Sequence, residues 1–130
     1  MELFVPVRKI LSHDPTNVKV LKILARTFRE LHDAGLFMRD LTFGNFFLSS
    51  ELDRLYIIDV SRMVYLHFPV PLLLRLEGLS KVDSDGVALR LLMDFYWGDN
   101  RGISKFSAAY VEKRKKLRRL RKSFTHKLKI

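Results

Sequence analysis

The chain has no cysteine, which excludes both a disulfide framework and a metal site built from thiolates. No apolar run reaches the about 18 residues that a transmembrane helix requires, so we expect no membrane-spanning helix. The first residues lack the basic-then-apolar order of a signal peptide, and the sequence predicts a cytoplasmic protein. His13, His67 and His126 are far apart and show no spacing typical of a zinc site.

Acidic residues are scarce in only one part of the chain. Residues 112–130 contain ten Lys or Arg and a single acid, Glu112, whereas residues 1–111 contain 14 basic and 13 acidic residues. Nine of the ten net positive charges therefore lie in this basic tail. It predicts either a plain solvated helix face or a surface for an anionic partner: phosphorylated lipid, a membrane surface or nucleic acid. Nucleic acid is the least favoured of these, because no helix-turn-helix or base-stacking pattern accompanies the charge.

With 48% hydrophobic residues, the 130 residues are enough for one core. Apolar residues recur every three or four positions over residues 16–34, which predicts a helix that Gly35 ends, with Asp14 or Thr16 as its N-cap. Residues 1–11 are predicted to be extended, Phe46–Ser49 and residues 55–60 to be strands, and residues 62–74, which contain Pro69 and Pro71, to be irregular or short-stranded.

Two further helices are predicted in the second half. Asp83, Ser84 or Asp85 is expected to cap a helix that runs to about Tyr96, with five inward side chains: Val87, Ala88, Leu91, Leu92 and Phe95. Residues 97–102 are predicted to be a loop. A helical stripe then continues over residues 103–128, where we expect Leu117 and Leu120 to pack and Phe124 and Leu128 to stay free for a surface.

Three polar residues lie at the edges of the two predicted strands: Asp40 and Asn45 before the first, and Asp59 after the second. Phosphoryl transfer needs such a set, with one carboxylate as the base and an amide plus a second carboxylate as Mg²⁺ ligands. The spacing D-L-x-x-x-N from Asp40 to Asn45 is the second half of the kinase catalytic-loop signature, and Asp59 stands where the Asp of D-F-G would stand. Taken alone, Asp40 is more often a turn residue than a catalytic one.

The segment Ile57-Ile58-Asp59-Val60-Ser61-Arg62, together with this loop, resembles the bacterial lipopolysaccharide core kinases, which include heptose and Kdo kinases. The resemblance extends from about Leu21 to about Tyr110. The sequence differs from that of protein kinases at Met38, which replaces the His of H-R-D. It also differs at Thr42, where protein kinases usually carry Lys or Arg. Asp59-Val60-Ser61 replaces D-F-G.

The resemblance implies roles for individual residues. Asp40 would be the catalytic base, and Arg39 would pair with acidic or phosphate groups near the activation segment, although a plain surface charge is the alternative for Arg39. Asn45 and Asp59 would bind Mg²⁺ and, through it, ATP. In kinase folds an Asp at the start of the later helix accepts bonds from the catalytic-loop backbone, and Asp83 and Asp85 are equal candidates. His32 is expected to be a buried histidine bonded to backbone rather than a catalytic one.

A kinase also needs a glycine-rich loop over the phosphates and a strand lysine, and the 39 residues before Asp40 contain neither. We therefore expect an α+β fold, a mostly helical kinase-like C-lobe (residues 1–111) with a small β-hairpin carrying the metal-site residues, followed by a basic amphipathic tail (residues 112–130). The N-lobe is expected to be absent, through truncation, a split gene or lost catalysis, or to come from a partner.

The predicted function is ATP-dependent transfer of a phosphoryl group to a sugar hydroxyl on a lipid-linked glycan, in lipopolysaccharide biosynthesis, weak or absent in this chain alone. The alternative is a non-catalytic module, a pseudokinase lobe that docks to a membrane surface or a partner through its basic tail. A peripheral location at the inner face of the cytoplasmic membrane is compatible with both hypotheses.

Overall fold

A short strand and a short helix open the chain. In the computed structural model, which describes residues 3–39, 41–58, 63–98 and 100–128, strand β1 (Phe4–Pro6) leads directly into helix α1 (Val7–His13). Pro6 is the N-cap of α1. Proline has no backbone N–H, and no hydrogen bond within the helix requires one at this position. The prediction of an extended segment over residues 1–11 is therefore wrong from Val7 onward, because Val7 and Leu11 give α1 a buried side.

Helix α2 (Val18–Asp33) is the longest element of the first half, and its prediction, including the stop at Gly35, is confirmed. The N-cap is Asn17 rather than Asp14 or Thr16. The Asn17 side chain accepts a hydrogen bond from the Val20 N–H at 3.1 Å. The buried face of α2 consists of six residues: Val20, Leu21, Leu24, Ala25, Phe28 and His32.

Four more strands in the described part of the chain form two small antiparallel sheets together with β1. They are β2 (Leu36–Met38), β3 (Phe46–Ser49), β4 (Leu55–Ile57) and β5 (Met63–Tyr65), paired in the orders β1-β3-β4 and β2-β5. In the predicted hairpin Phe47 faces Tyr56, which confirms the pairing of β3 with β4. Strand β4 ends at Ile57, and positions 59 and 60, which were predicted to extend it, lie outside the described residues.

The described residues of the second half form three helices: α3 (Leu72–Leu79), α4 (Gly86–Trp97) and α5 (Arg101–Leu128). The prediction that residues 62–74 are irregular or short-stranded is confirmed by β5 and is wrong from Leu72 onward, where α3 starts after Pro71. Asp85 is the N-cap of α4, but the inward prediction for Val87 is wrong because its side chain is exposed.

The tail predicted for residues 112–130 is not a separate element in its described part, because α5 runs without a break for 28 residues. No helix within the described ranges is both long enough and apolar enough to cross a membrane. The core lies where α2 packs on α4 and α4 packs on α5, and it includes the loop residues Leu41 and Phe43. The predicted α+β class, more helical than stranded and with a small antiparallel hairpin, is confirmed.

We expect Gly35→Ala to destabilise the fold by about 2 kcal/mol, because left-handed backbone costs a non-glycine residue about 1–2 kcal/mol before any clash. Gly35 has φ +86°, and a Cβ there would lie 2.6 Å from the Phe68 carbonyl oxygen. Gly86→Ala is the matched control, since Gly86 has φ +58° with nothing within 4 Å of an added Cβ. Urea unfolding at neutral pH measures both variants, and equal losses would show that the contact with Phe68 has no cost.

Candidate functional site

The segment between β2 and β3 is the predicted catalytic loop, and buried apolar residues anchor it. Leu41 and Phe43 are each 1% exposed, and Met38 is buried at the end of β2. Arg39 is exposed, in agreement with either of its two predicted roles. Asp40, the predicted base, lies outside the described residues. The backbone is therefore fixed by core packing on both sides of position 40, while the neighbouring charged side chain faces solvent.

Asn45 ends a short 3-10 helix, Phe43–Asn45, which joins the loop to β3. The Asn45 carbonyl accepts a hydrogen bond from the Ile58 N–H at 2.9 Å, which extends the β3–β4 pairing by one step. The Asn45 residue is half-buried. Asp59, the second predicted Mg²⁺ ligand, lies outside the described residues, but the residue directly before it is hydrogen-bonded to Asn45.

Helix α3 packs closely against the segment between β2 and β3 because it carries a glycine, Gly78, at the contact. A Cβ on Gly78 would lie 3.3 Å from Leu41 Cδ1 and 3.4 Å from the Met38 carbonyl oxygen. These distances leave little room for any larger residue. The close approach holds the backbone on both sides of position 40 against α3.

Sequence reasoning missed Arg8, which joins the loop to the turn before α4. The Arg8 Nε donates to Asp83 Oδ2 at 3.0 Å, and a Cβ on Gly44 would lie 3.0 Å from the Arg8 guanidinium. Asp83 was a candidate to bind the loop backbone; in the structure it binds Arg8, which in turn lies against Gly44. Asp85, the other candidate, pairs with Lys115 and Arg119 of α5.

A second polar cluster lies where α2, α3 and α4 meet. His32 is 1% exposed, and its Nδ1 lies 2.7 Å from the Tyr96 hydroxyl. Arg75 donates from Nη1 to the same hydroxyl at 3.3 Å and to Asp33 Oδ1 at 2.9 Å. The prediction that His32 is buried is confirmed, but its ring binds a side chain rather than backbone.

Burial dominates the ionisation of this cluster. Burial, helped by the nearby Arg75 cation, lowers the pKa of His32 to about 4. Burial likewise raises the pKa of Tyr96 to about 12, against the opposing effect of Arg75. The imidazole is therefore neutral at pH 7, with the phenol as its hydrogen-bonding partner, and this arrangement suits a structural role.

The same cluster fixes the segment that follows β5. The Arg75 Nε donates to the Val70 carbonyl at 2.5 Å. The Val70 N–H in turn donates to the His32 carbonyl, and the Leu66 N–H donates to the Gly35 carbonyl, both at 2.9 Å. The segment is tied at both ends to the end of α2, while Phe68 between these points is exposed.

No three His, Cys, Asp or Glu side chains in the described part of the chain lie close enough together to hold a metal ion. Of the three residues predicted for the base and the metal, only Asn45 falls within those ranges. The structure thus brings positions 45 and 58 together. Comparison of the chain with protein-family models, with curated proteins and with solved structures found no match in any of the three.

Proposed function

We propose that this chain carries the catalytic loop and metal site of an ATP-dependent phosphotransferase resembling the lipopolysaccharide core kinases, on the scaffold of a kinase C-terminal lobe. Its acceptor would be a sugar hydroxyl on a lipid-linked glycan. The observation that carries the proposal is the hydrogen bond from the Ile58 N–H to the Asn45 carbonyl. This bond brings together the described ends of the two predicted metal-site segments, Asn45 and the residue that precedes Asp59 in sequence. A magnesium site of this kind draws its amide and its carboxylate from two such neighbouring segments.

Each predicted residue has a distinct task in this proposal. Asp40 accepts the proton of the acceptor hydroxyl. The exposed Arg39 binds anionic groups of the substrate or of the activation segment. Asn45 and Asp59 offer hard oxygen donors, the kind that Mg²⁺ prefers, so these residue types fit the ion. Bound Mg·ATP would supply the phosphoryl group and the cation that offsets its charge.

The anchoring of the loop supports the same proposal. Phosphoryl transfer depends on positioning and electrostatics more than on covalent chemistry, so its catalytic loop must hold one conformation. Leu41 and Phe43 hold this loop in the core, and Gly78 and Arg8 close on it from α3 and α1. Asn45 and the described residues on either side of position 40 are thereby carried on backbone that packing fixes.

Mg·ATP binding tests the proposal. These 130 residues contain no glycine-rich loop and no strand lysine, so we expect weak binding and no detectable phosphotransfer by the purified chain. Millimolar Mg·ATP should raise the melting temperature, since a ligand that binds only the folded state stabilises it. Asp59→Asn should abolish the shift. Glu51→Gln, which removes an exposed carboxylate from the turn between β3 and β4, should keep it.

Two outcomes would contradict the proposal: no shift at saturating Mg·ATP, or equal shifts in wild type and Asp59→Asn. Either would favour the alternative, a non-catalytic binding module that docks through the basic half of α5. One observation specifically favours that alternative as a second function. Eight of the ten residues from 113 to 122 are Lys or Arg, and none is acidic, whereas the ion pairs within the described ranges use four of the eight.

A further inference from the structure

The contacts of α5 with the body define its inner side. Ser104, Ser107, Ala108 and Val111 are buried there. Lys115 continues the same side, and its ammonium group donates to the Val82 carbonyl. Successive residues of an α-helix are about 100° apart, so these five positions fall on one side of the helix.

The opposite side of α5 carries a stripe of exposed apolar residues, which we call the outer stripe: Phe106, Leu117, Leu120 and Phe124. Their side chains are between 46% and 65% exposed. By helical geometry they fall within a sector of about 60° that lies about 150° from the centre of the buried side. The prediction that Leu117 and Leu120 pack on the body is therefore wrong, that for Phe124 is confirmed, and the Leu128 side chain lies outside the described residues.

The basic residues from 113 to 121 divide into two sets. Lys115 lies on the inner side, and Arg114, Arg118 and Arg119 turn toward the body and bind Glu77, Ser80 and Asp85. Lys113, Lys116 and Arg121 lie within or beside the outer stripe, and none of the three has an ion-pair partner in the described part of the chain. Three cations without an ion-pair partner in these ranges thus lie at the exposed apolar surface.

We propose that the outer stripe of α5 docks on an anionic lipid bilayer, with the helix parallel to the surface. Leu117, Leu120 and Phe124 would enter the boundary of headgroups and acyl chains. Lys116 and Arg121 at the margins, and Lys113 within the stripe, would meet lipid phosphates with their aliphatic stems buried beside the apolar side chains. The proposal stands whether or not the catalytic loop binds Mg·ATP, because it uses none of the loop residues.

Charge and shape favour a bilayer over other occupants. A second copy of α5 would bring its own Lys and Arg margins against this one, and like charges repel. Nucleic acid would meet Leu and Phe side chains in the middle of the contact, where phosphate contacts need polar or basic groups. An acidic helix would have to match cations on both margins of the stripe, whereas a bilayer presents anionic groups over a continuous plane.

Co-sedimentation of the whole chain with vesicles tests the proposal. We expect binding to vesicles of equal parts phosphatidylglycerol and phosphatidylcholine, little binding to phosphatidylcholine alone, and loss of binding at high salt. Leu120→Gln/Phe124→Gln should weaken binding about tenfold or more, because it removes the two most exposed apolar groups of the stripe. Val87→Gln, at an equally exposed position on α4, should leave binding unchanged.

A second pair of variants separates the position of the charges from their number. Lys116→Gln/Arg121→Gln should weaken binding about 30-fold at low salt, at about 1 kcal/mol for each basic residue near the surface. Lys9→Gln/Lys22→Gln, which removes two exposed cations from α1 and α2, should have much less effect. All of these side chains are exposed, so each variant should keep its melting temperature.

Several outcomes would overturn the proposal. Equal binding to both vesicle types would show that lipid charge has no role in binding. No binding to either type would show that the chain does not dock on a bilayer. Equal losses in the α5 variants and in their controls would show that no particular surface is used. Tighter binding of the chain to a DNA duplex or to poly-glutamate than to anionic vesicles would assign α5 to nucleic acid or to an acidic protein instead.

Discussion

Arg75→Met should lower the free energy of unfolding by about 3 kcal/mol, since a buried polar group left without its partner costs about 1–3 kcal/mol and bonds to charged groups contribute about 1.5–3 kcal/mol. The Arg75 side chain is only 10% exposed, and its partners come from three places: Asp33, Val70 and Tyr96. Methionine fills similar space but leaves the Val70 carbonyl, in a residue 2% exposed, without this donor. Part of the loss is offset because a thioether is cheaper to bury than a cation.

The stability that Arg75→Met removes should not depend on pH in the ordinary range. Burial alone would lower the pKa of Arg75, but its hydrogen bonds to Asp33 and Tyr96 outweigh that effect and hold the pKa above its usual value. The guanidinium is therefore charged wherever the protein is folded. Its removal acts through lost bonds and a vacated space, and the loss should be nearly the same at pH 7 and pH 9.

Arg29→Met is the matched control for this prediction. Arg29 also pairs with Asp33, at 3.2 Å, and its Nη1 donates to the Tyr96 carbonyl at 3.1 Å. Its side chain is 38% exposed, so solvent screens the pair and we expect a loss of only about 1 kcal/mol. Urea unfolding compares the two variants, and equal losses would show that burial of Arg75 adds nothing to the shared interaction with Asp33.

The sequence predicts the long, periodic elements well, because their signal comes from many residues. Helix α2 and the pairing of β3 with β4 are found where apolar spacing places them. Helix α1 was missed because Pro6 indicates extended backbone locally, and the buried pair Val7 and Leu11 is too short a pattern to outweigh it. The inward prediction for Leu117 and Leu120 was wrong for a different reason: a helical stripe shows that one side is apolar, but not which side faces the protein.

The site was predicted from a sequence motif, and a motif does not predict which distant residues its members contact. Spacing alone places Asn45 next to a hairpin, and the structure shows that its carbonyl binds the Ile58 N–H. Nothing in the sequence connects Arg8 to Asp83, which lie 75 positions apart. One signal was present and unused: Arg75 is the lone cation in the apolar run at the start of α3, and such a residue is rarely buried without partners.

Stability should rise with pH between about 4 and about 6.5 because of His32. Its pKa is about 4 in the folded protein, where burial and the cations Arg75 and Arg29 oppose charging while Asp33 favours it. The unfolded chain has the ordinary histidine pKa, so within this window the unfolded state binds more protons, and lowering the pH favours unfolding. The stabilisation is complete above the unfolded pKa and is lost as the pH falls toward 4.

Across this window the shift corresponds to about 3 kcal/mol, at 1.36 kcal/mol for each pH unit. Urea unfolding at pH 7, 6, 5 and 4.5 measures it. His32→Gln keeps a hydrogen-bonding group near the Tyr96 hydroxyl but cannot be protonated, so this variant should lose most of the slope while starting from lower stability at pH 7. His13→Gln, which removes an exposed imidazole from α1, is the control and should keep the slope. A slope that survives His32→Gln would mean that groups other than the buried imidazole set the response to acid.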